Sequence, residues 1–177
     1  ALRADQAAEE LKKFREPVDK AIDKALAFLA TQQEKDGSFK SRGMRHNTGI
    51  ASLCVMAFLS KGYTPGHGPY GEVINRGVDY VFDAAKKNGL LVGRQSSHGP
   101  MYSHCIATLM LSEVSGMVDP KRQKRIDKAL PEALKVILSA QKVKKDQRHE
   151  GGWRYQHNSS DSDISLTGWA LMSLRSA

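Results

Sequence analysis

The amino-acid sequence predicts an all-α protein in which three helix-hairpin units stack into an outer and an inner layer of helices. Three observations support this prediction. A ten-residue pattern recurs three times, apolar residues within it follow helical spacing, and no segment alternates apolar and polar residues as a half-buried strand would. With 177 residues, 40% of them hydrophobic, the chain is long enough for a domain with a sizeable core.

The recurring pattern runs through the first helix of each unit. It is Lys24-Ala25-x-x-Phe28-Leu29-x-x-x-Gln33 in the first unit, Arg76-Gly77-x-x-Tyr80-Val81-x-x-x-Ala85 in the second, and Glu132-Ala133-x-x-Val136-Ile137-x-x-x-Gln141 in the third. The first two continue at the same spacing to Gly37-Ser38-Phe39 and Gly89-Leu90-Leu91, whereas the third has a longer charged loop before Gly151-Gly152-Trp153. The patterns start 52 and 56 residues apart, which is typical of a supersecondary unit.

These spacings define the expected organisation of the chain. We predict three repeats, over about 21–64, 72–118 and 124–177, in an α/α domain spanning 21–177. An N-terminal helical arm is expected over residues 1–20. The last helix reaches Ala177 without a Gly or Pro stop signal, so we expect truncation at the C-terminus. Self-association through the exposed end of the repeats is the alternative expectation.

The two helices of a unit differ in character. First helices carry apolar residues at i, i+3, i+4 and i+7, as in Ile22, Ala25, Leu26 and Leu29, and charged residues elsewhere. Second helices, such as the one opening at Thr48-Gly49-Ile50-Ala51, are apolar on nearly all faces and rich in small residues. A helix surrounded by neighbours has this composition, so the second helices are expected to form the inner layer.

Composition limits the classes of partner. The longest apolar stretch, residues 50–59, is too short to span a bilayer, so we predict no transmembrane segment. The two cysteines, Cys54 and Cys105, lie in apolar helical runs and are expected to be free thiols. The start lacks an initiator Met and a secretory pattern, which is typical of a processed chain, and the compartment stays open.

The chain is basic, with 27 Lys and Arg against 19 Asp and Glu and a net charge of +8. Much of the excess lies in residues 121–125 and 142–145. Such a surface suits nucleic acid, anionic lipid or a diphosphate, but the same runs are also typical of a solvated outer helix face followed by a loop. Because no aromatic residues interleave with them, we expect no nucleic-acid partner.

The repeated pattern resembles the QW repeat of squalene-hopene cyclase-like proteins and covers residues 22–177. It also looks like the prenyltransferase/squalene-oxidase repeats of bacterial proteins. The resemblance implies the α/α toroid of the terpenoid cyclase and protein prenyltransferase family. Three units would form a partial toroid, about half of the closed ring.

The resemblance also implies structural roles for four residues. In that family the Gln amide binds towards the end of a neighbouring outer helix, and the aromatic ring covers it, which satisfies backbone groups at a helix terminus. The matching residues here are Gln33, Phe39, Gln141 and Trp153. The second unit departs from the pattern, with Ala85 for Gln and Leu91 for Trp.

The candidate site lies where the N-termini of the inner helices would converge, because helix N-termini offer free N–H groups and a partial positive charge. The residues expected there are His46, Asn47, Tyr102, His104, Asp161 and Asp163. The segment Asp161-Ser162-Asp163-Ile164 resembles the Asp-x-Asp-Asp acid motif of class II terpene cyclases. By position Asp163 would be the general acid, with Asp161 and His104 as further catalytic candidates. Ile164 replaces the final Asp, and ordinary N-capping is the alternative interpretation.

No cofactor is expected from the sequence. A protein prenyltransferase β-subunit carries an Asp-x-Cys zinc segment, and this chain has none. The metal candidates are His46, His104 and Asp163, three N or O ligands that would leave an open position. His98 and Tyr102 are further candidates for the edge of a cavity.

Two functional hypotheses follow. In the first, the chain is a non-catalytic repeat module whose concave inner surface binds an apolar or isoprenoid-like ligand or a protein partner. In the second, it is part of an isoprenoid-processing enzyme in which Asp163 protonates an alkene. The second rests on the family resemblance alone.

Overall fold

The computed structural model describes residues 2–44, 46–93 and 99–177, with side chains from residue 9 onwards. These ranges contain six helices and no β-strand. The helices are α1 (Leu2–Thr31), α2 (Thr48–Ser60), α3 (Gly71–Ala84), α4 (Met101–Val114), α5 (Pro120–Gln141) and α6 (Ile164–Ser176). The prediction of an all-α protein is confirmed for this part of the chain. No helix in it is both long and apolar enough to cross a membrane.

The chain divides into two compact units, one ending at Gln32 and the other running from Gln33 to Ala177. The N-terminal compact unit consists of helix α1. This helix runs without a break through Pro17 and through the predicted end of the arm at residue 20. Exposed ion pairs one turn apart, such as Lys13 with Glu10 at 2.6 Å and Lys20 with Glu16 at 2.5 Å, favour the helical state.

The larger compact unit, Gln33 to Ala177, is organised around α4, which packs against both α2 and α6. We call these three helices the inner row. The inner row is parallel and in register between α4 and α6. The Tyr102 hydroxyl contacts that of Ser165 near the helix starts, and Ser176 binds Glu113 near their ends, with 63 residues separating each pair. Residues at one position in the two helices therefore lie side by side.

Burial of α4 explains its small and hydroxylated residues. Cys105, Ala107 and Leu111 are fully buried, as are several of its polar residues. Thr108 donates its hydroxyl to the His104 carbonyl at 2.8 Å, and Ser112 donates to the Thr108 carbonyl at 2.9 Å. The Thr108 and Ser112 hydroxyls are thus satisfied by α4 itself, so that apolar neighbours can pack around them.

Helices α3 and α5 flank the inner row and contact each other. Arg122 of α5 donates its Nε to Asp79 of α3 at 3.1 Å, and Arg125 donates to Asp83 at 2.7 Å. Arg125 also lies over the Phe82 ring, 4.5 Å from its centroid. Part of the basic run at residues 121–125 therefore joins two helices of the chain.

The second basic run closes the end of α5. The Lys145 ammonium donates to the carbonyls of Ala140 at 3.1 Å and Gln141 at 3.4 Å, the last two residues of α5. The last carbonyls of a helix lack internal partners, and a nearby cation stabilises them.

The glycine after each of the first two patterns lies against the backbone of the first helix of the next repeat. Gly37 has φ +86°, and a Cβ there would lie 2.1 Å from the Arg76 carbonyl oxygen. Gly89 has φ +85°, and a Cβ there would lie 2.7 Å from the Glu132 carbonyl oxygen. Arg76 and Glu132 hold the same place in the repeated pattern. Only glycine combines this backbone conformation with this proximity.

Candidate functional site

The glutamine and aromatic residues of the pattern lie in the turns that follow first helices. Gln33 donates its amide to the Val73 carbonyl in α3 at 2.8 Å and to the Gly37 carbonyl at 3.3 Å. Phe39 is buried and pairs with Gln33 through a single antiparallel bridge. The amide therefore joins its own turn to the start of the next first helix, while the ring is withdrawn from solvent.

The third unit places the matching residues similarly. Gln141 donates its amide to the Gly151 carbonyl at 3.0 Å. Trp153 is 1% exposed and donates its indole N–H to the Ile137 carbonyl at 2.8 Å. In the second unit Leu91 fills the aromatic position and is buried, although Ala85 lacks an amide.

The starts of the inner helices come together, as the sequence predicts for converging N-termini. Asn47 caps α2 by accepting from the Ile50 N–H at 3.1 Å, and the same oxygen accepts from the Ser103 hydroxyl at 3.0 Å. Across the row, Tyr102 of α4 contacts Ser165 of α6. We call the group Asn47, Tyr102, Ser103, Asp163 and Ser165 the polar end.

Asp163 is the N-cap of α6. Its Oδ1 accepts from the Leu166 N–H at 2.9 Å, the Ser165 hydroxyl at 2.9 Å and the Tyr102 hydroxyl at 3.1 Å. These hydrogen bonds, led by that from Leu166, lower the pKa of the Asp163 carboxyl. An acid that protonates an alkene needs a protonated carboxyl, and this environment instead stabilises the carboxylate. The geometry is that of a helix cap.

Arg154 is the polar-end neighbour that sequence reasoning missed. Its Nε lies 3.2 Å from Asp161 and its Nη1 lies 3.8 Å from Asp163, so one guanidinium bridges both carboxylates. It also stacks over Tyr155, 4.2 Å from the ring centroid. A cation here adds to the stabilisation of ionised Asp163. The signal in the sequence is its position directly after Trp153, at the end of the repeated pattern.

His104 lies inside the protein and is fully buried. Its Nδ1 accepts from the Leu91 N–H at 3.1 Å, and its Nε2 donates to the Ala133 carbonyl in α5 at 3.1 Å. Burial lowers the pKa of this imidazole to about 4, so it is neutral at pH 7. With both nitrogens engaged by backbone, His104 joins three segments and has no nitrogen left for Asp163.

The three metal candidates lie in different surroundings. His46 adopts φ +59°, and its Nδ1 lies 3.3 Å from Asp36. His104 and Asp163 are engaged as described. Within the described residues, no three His, Cys, Asp or Glu side chains are arranged to hold a metal ion. His98, the remaining candidate, lies outside the described residues.

The two cysteines are free thiols. Burial raises the pKa of Cys105 to about 12 and that of Cys54 to about 11. Both groups are therefore protonated near neutral pH and are poor nucleophiles.

An apolar groove of about 480 Å³ lies towards the far end of the inner row. All three inner helices line it. Its apolar lining is Met56 and Leu59 from α2, Leu109 from α4 and Met172 from α6, and Glu113, Arg175, Ser60 and Ser176 complete it. We call this the inner groove. Sequence reasoning did not identify it, although Leu109 and Met172, which line it from α4 and α6, hold corresponding positions when these helices are aligned on His104 and Thr167.

A second groove of similar size separates the end of α3 from α5. Lys86, Lys87 and Lys128 line it, next to Ala85. Ala85 stands where Gln33 stands in the first unit, so the missing amide leaves space there. This basic groove differs from the inner groove in charge and in the helices that form it.

Comparison with protein-family models gave no match. A search of curated proteins likewise found no similar sequence.

Proposed function

We propose that this chain is a squalene-cyclase/prenyltransferase-like α/α repeat module, and that it binds an apolar, isoprenoid-like ligand without transforming it. The observation that carries the proposal is the inner groove, to which all three inner helices contribute apolar side chains. The proposed module is a partial toroid with the inner row on its concave side.

The groove has the character of a small-molecule site. Ligand pockets in proteins commonly have volumes of about 300–1,000 Å³ and mainly apolar walls with a few polar groups. Met56 and Met172 supply flexible, polarisable side chains that adapt to irregular chains such as isoprenoids. Glu113 and Arg175 supply the polar groups that would orient a hydroxyl or other head group.

The family assignment is supported by packing that repeats with the sequence pattern. Gly37 and Gly89 approach corresponding carbonyls of the next first helix, and Gln33 and Gln141 bind the carbonyl of the glycine in their own turn. The parallel register of α4 and α6 is what a layer of equivalent inner helices requires.

The proposal assigns no catalytic role because of the surroundings of Asp163. The only acid motif in the sequence places this carboxyl in a cap that favours its ionised form, and His104 is held by backbone groups away from it. An alkene-protonating acid needs the opposite environment, with burial raising its pKa.

Binding can be tested by titrating the protein with farnesol while following intrinsic tryptophan fluorescence and, independently, heat release. We expect saturable binding to wild type. Met172→Glu places a charge in the inner groove and should weaken binding at least about tenfold. Leu171→Glu is the matched control, because Leu171 is the adjacent residue of α6, is 56% exposed and does not line the groove.

Two results would overturn the proposal. One is the lack of saturable farnesol binding, and the other is an equal loss of affinity in both variants. Incubation with squalene and with farnesyl diphosphate tests the enzyme alternative. Product formation that Asp163→Asn abolishes would replace the binding role with a catalytic one.

A further inference from the structure

The contacts between units follow a rule that can be read at the first junction. The Gly37 turn lies against α3, with its Cβ position 2.1 Å from the Arg76 carbonyl oxygen and 3.1 Å from the Tyr80 Cβ. Gln33 reaches the Val73 carbonyl one turn earlier in the same helix. A glycine turn of one unit thus docks on the first helix of the next.

The second junction repeats this geometry. The Gly89 turn lies against α5, with its Cβ position 2.7 Å from the Glu132 carbonyl oxygen and 3.3 Å from Val136 Cγ2. Glu132 and Val136 hold the places of Arg76 and Tyr80 in the repeated pattern. Two independent junctions therefore use one docking geometry.

The third unit presents the same turn with no helix against it. Gly151 has φ +80°, close to the φ of Gly37 and Gly89. Gln141 binds the Gly151 carbonyl as Gln33 binds that of Gly37. Beyond its own chain neighbours, however, none of the described residues places a heavy atom within 4 Å of the Cβ position of Gly151.

A matching first helix exists at the other end of the chain. Helix α1 carries Lys24-Ala25-x-x-Phe28, the counterpart of Arg76-Gly77-x-x-Tyr80. Tyr80, packed at the first junction, is 8% exposed, whereas Phe28 is 62% exposed. The exposed apolar ring occupies the position that contacts a glycine turn in the other two units.

We propose that a second copy of this chain docks on the Gly151 turn through its α1 helix, with the Lys24 carbonyl and Phe28 against the glycine. The contact continues the series formed by the two internal junctions. It is heterologous, because the Gly151 turn of one copy meets α1 of the other.

Sedimentation velocity over a range of protein concentrations tests this association. Wild type should sediment faster as concentration rises. Gly151→Ala should raise the dissociation constant at least about tenfold, because its Cβ would meet a backbone carbonyl, as the values at Gly37 and Gly89 show. Gly116→Ala is the control, since Gly116 also has φ +80° and open space around it among the described residues, and it should associate as wild type does.

The partner surface is tested on α1. Phe28→Asp should weaken association to a similar extent, because it places a charge in the contact. Phe14→Asp is the control on the same helix, with an exposed fraction of 61% against 62% for Phe28. Thermal melts of all four variants establish that each is folded before the sedimentation results are compared.

Complementation separates this arrangement from others. Each of Gly151→Ala and Phe28→Asp leaves one docking surface intact, so an equimolar mixture of the two should associate more strongly than either variant alone. A wild-type protein that stays monomeric, association that neither variant weakens, or a mixture that remains monomeric would each overturn the proposal. The farnesol titration is independent of these outcomes.

Discussion

His104 and Thr167 hold corresponding positions in consecutive inner helices. Each accepts a hydrogen bond from the backbone N–H of the residue at the aromatic position of its repeat. The Leu91 N–H donates to His104 Nδ1 at 3.1 Å, and the Trp153 N–H donates to Thr167 Oγ1 at 3.1 Å. The imidazole makes one further bond, to the Ala133 carbonyl. His104 thus has the same acceptor role as Thr167, and its longer side chain also reaches the Ala133 carbonyl.

This equivalence predicts an order of stability for substitutions at residue 104. His104→Thr should keep an acceptor for the Leu91 N–H, whereas His104→Val, of nearly the same shape, should leave it unsatisfied. We expect the Val variant to be less stable than the Thr variant by about 1–3 kcal/mol in urea unfolding. Both should be less stable than wild type, because the Ala133 carbonyl loses its donor. Equal stability of the two variants would contradict the assigned acceptor role.

The low pKa of His104 predicts a dependence of stability on pH. Burial lowers its pKa in the folded state to about 4 from an ordinary value of 6.5, so the unfolded chain binds the proton more tightly. Neutral His104 therefore makes its full contribution to the unfolding free energy above pH about 6.5. As the pH falls towards 4, the unfolded chain takes up the proton first, and about 3 kcal/mol of stability is lost. Unfolding free energies of wild type and His104→Thr, measured from pH 7.5 to 4, should converge at the acid end. A constant difference over that range would refute the prediction.

The first junction between units predicts a large effect of adding one methyl group. Gly37→Ala should strain a backbone at φ +86° and force the Arg76 carbonyl away from a Cβ at 2.1 Å. Gly62→Ala provides the control, since Gly62 has φ +91° with no described residue within 4 Å of its Cβ. We expect a loss of about 1 kcal/mol for the control and at least about 3 kcal/mol for Gly37→Ala. Chemical unfolding of both variants measures these losses. Similar losses in unfolding free energy would contradict the prediction, because they would show that the Arg76 backbone moves away from the added methyl group with no energetic penalty.

The cap of α6 predicts different results for two substitutions of Asp163. Asp163→Ala removes the acceptor of the Leu166 N–H and should cost about 1 kcal/mol of unfolding free energy. Asp163→Asn keeps an acceptor oxygen and should lower the unfolding free energy by only a few tenths of a kcal/mol, because Asn and Asp are similar N-caps. Thermal or urea unfolding measures both. If Asn proves as destabilising as Ala, charge rather than capping geometry is the contribution of this residue.

The helical class could be predicted from the sequence because it depends on local periodicity. Apolar spacing separates amphipathic first helices from second helices rich in small residues, and the six regular elements of the described residues are all helices. The continuity of α1 through Pro17 was harder to foresee. The proline removes one backbone donor, and the surrounding residues still sustain the helix.

The candidate site could be predicted only in part. The convergence of inner-helix starts follows from topology, and it places Tyr102 beside Asp163. The depth of His104 depends on which neighbours cover it, which the spacing of one helix does not reveal. Arg154 and the inner groove depend on contacts between residues far apart in the chain, for the groove across three helices. Such contacts leave no short motif in a single sequence.

Parallel alignment of the inner row has an electrostatic consequence along its length. Dipoles of antiparallel neighbours offset one another, whereas those of side-by-side helices pointing the same way add. Carboxylate and amide oxygens of Asp163 and Asn47 face the positive ends of their helices, and Arg175 lies in the last turn of α6 at the negative end. The Asp163 carboxylate and the Arg175 guanidinium therefore complement the dipole of α6 at its two ends, which stabilises a helix that points the same way as its neighbour.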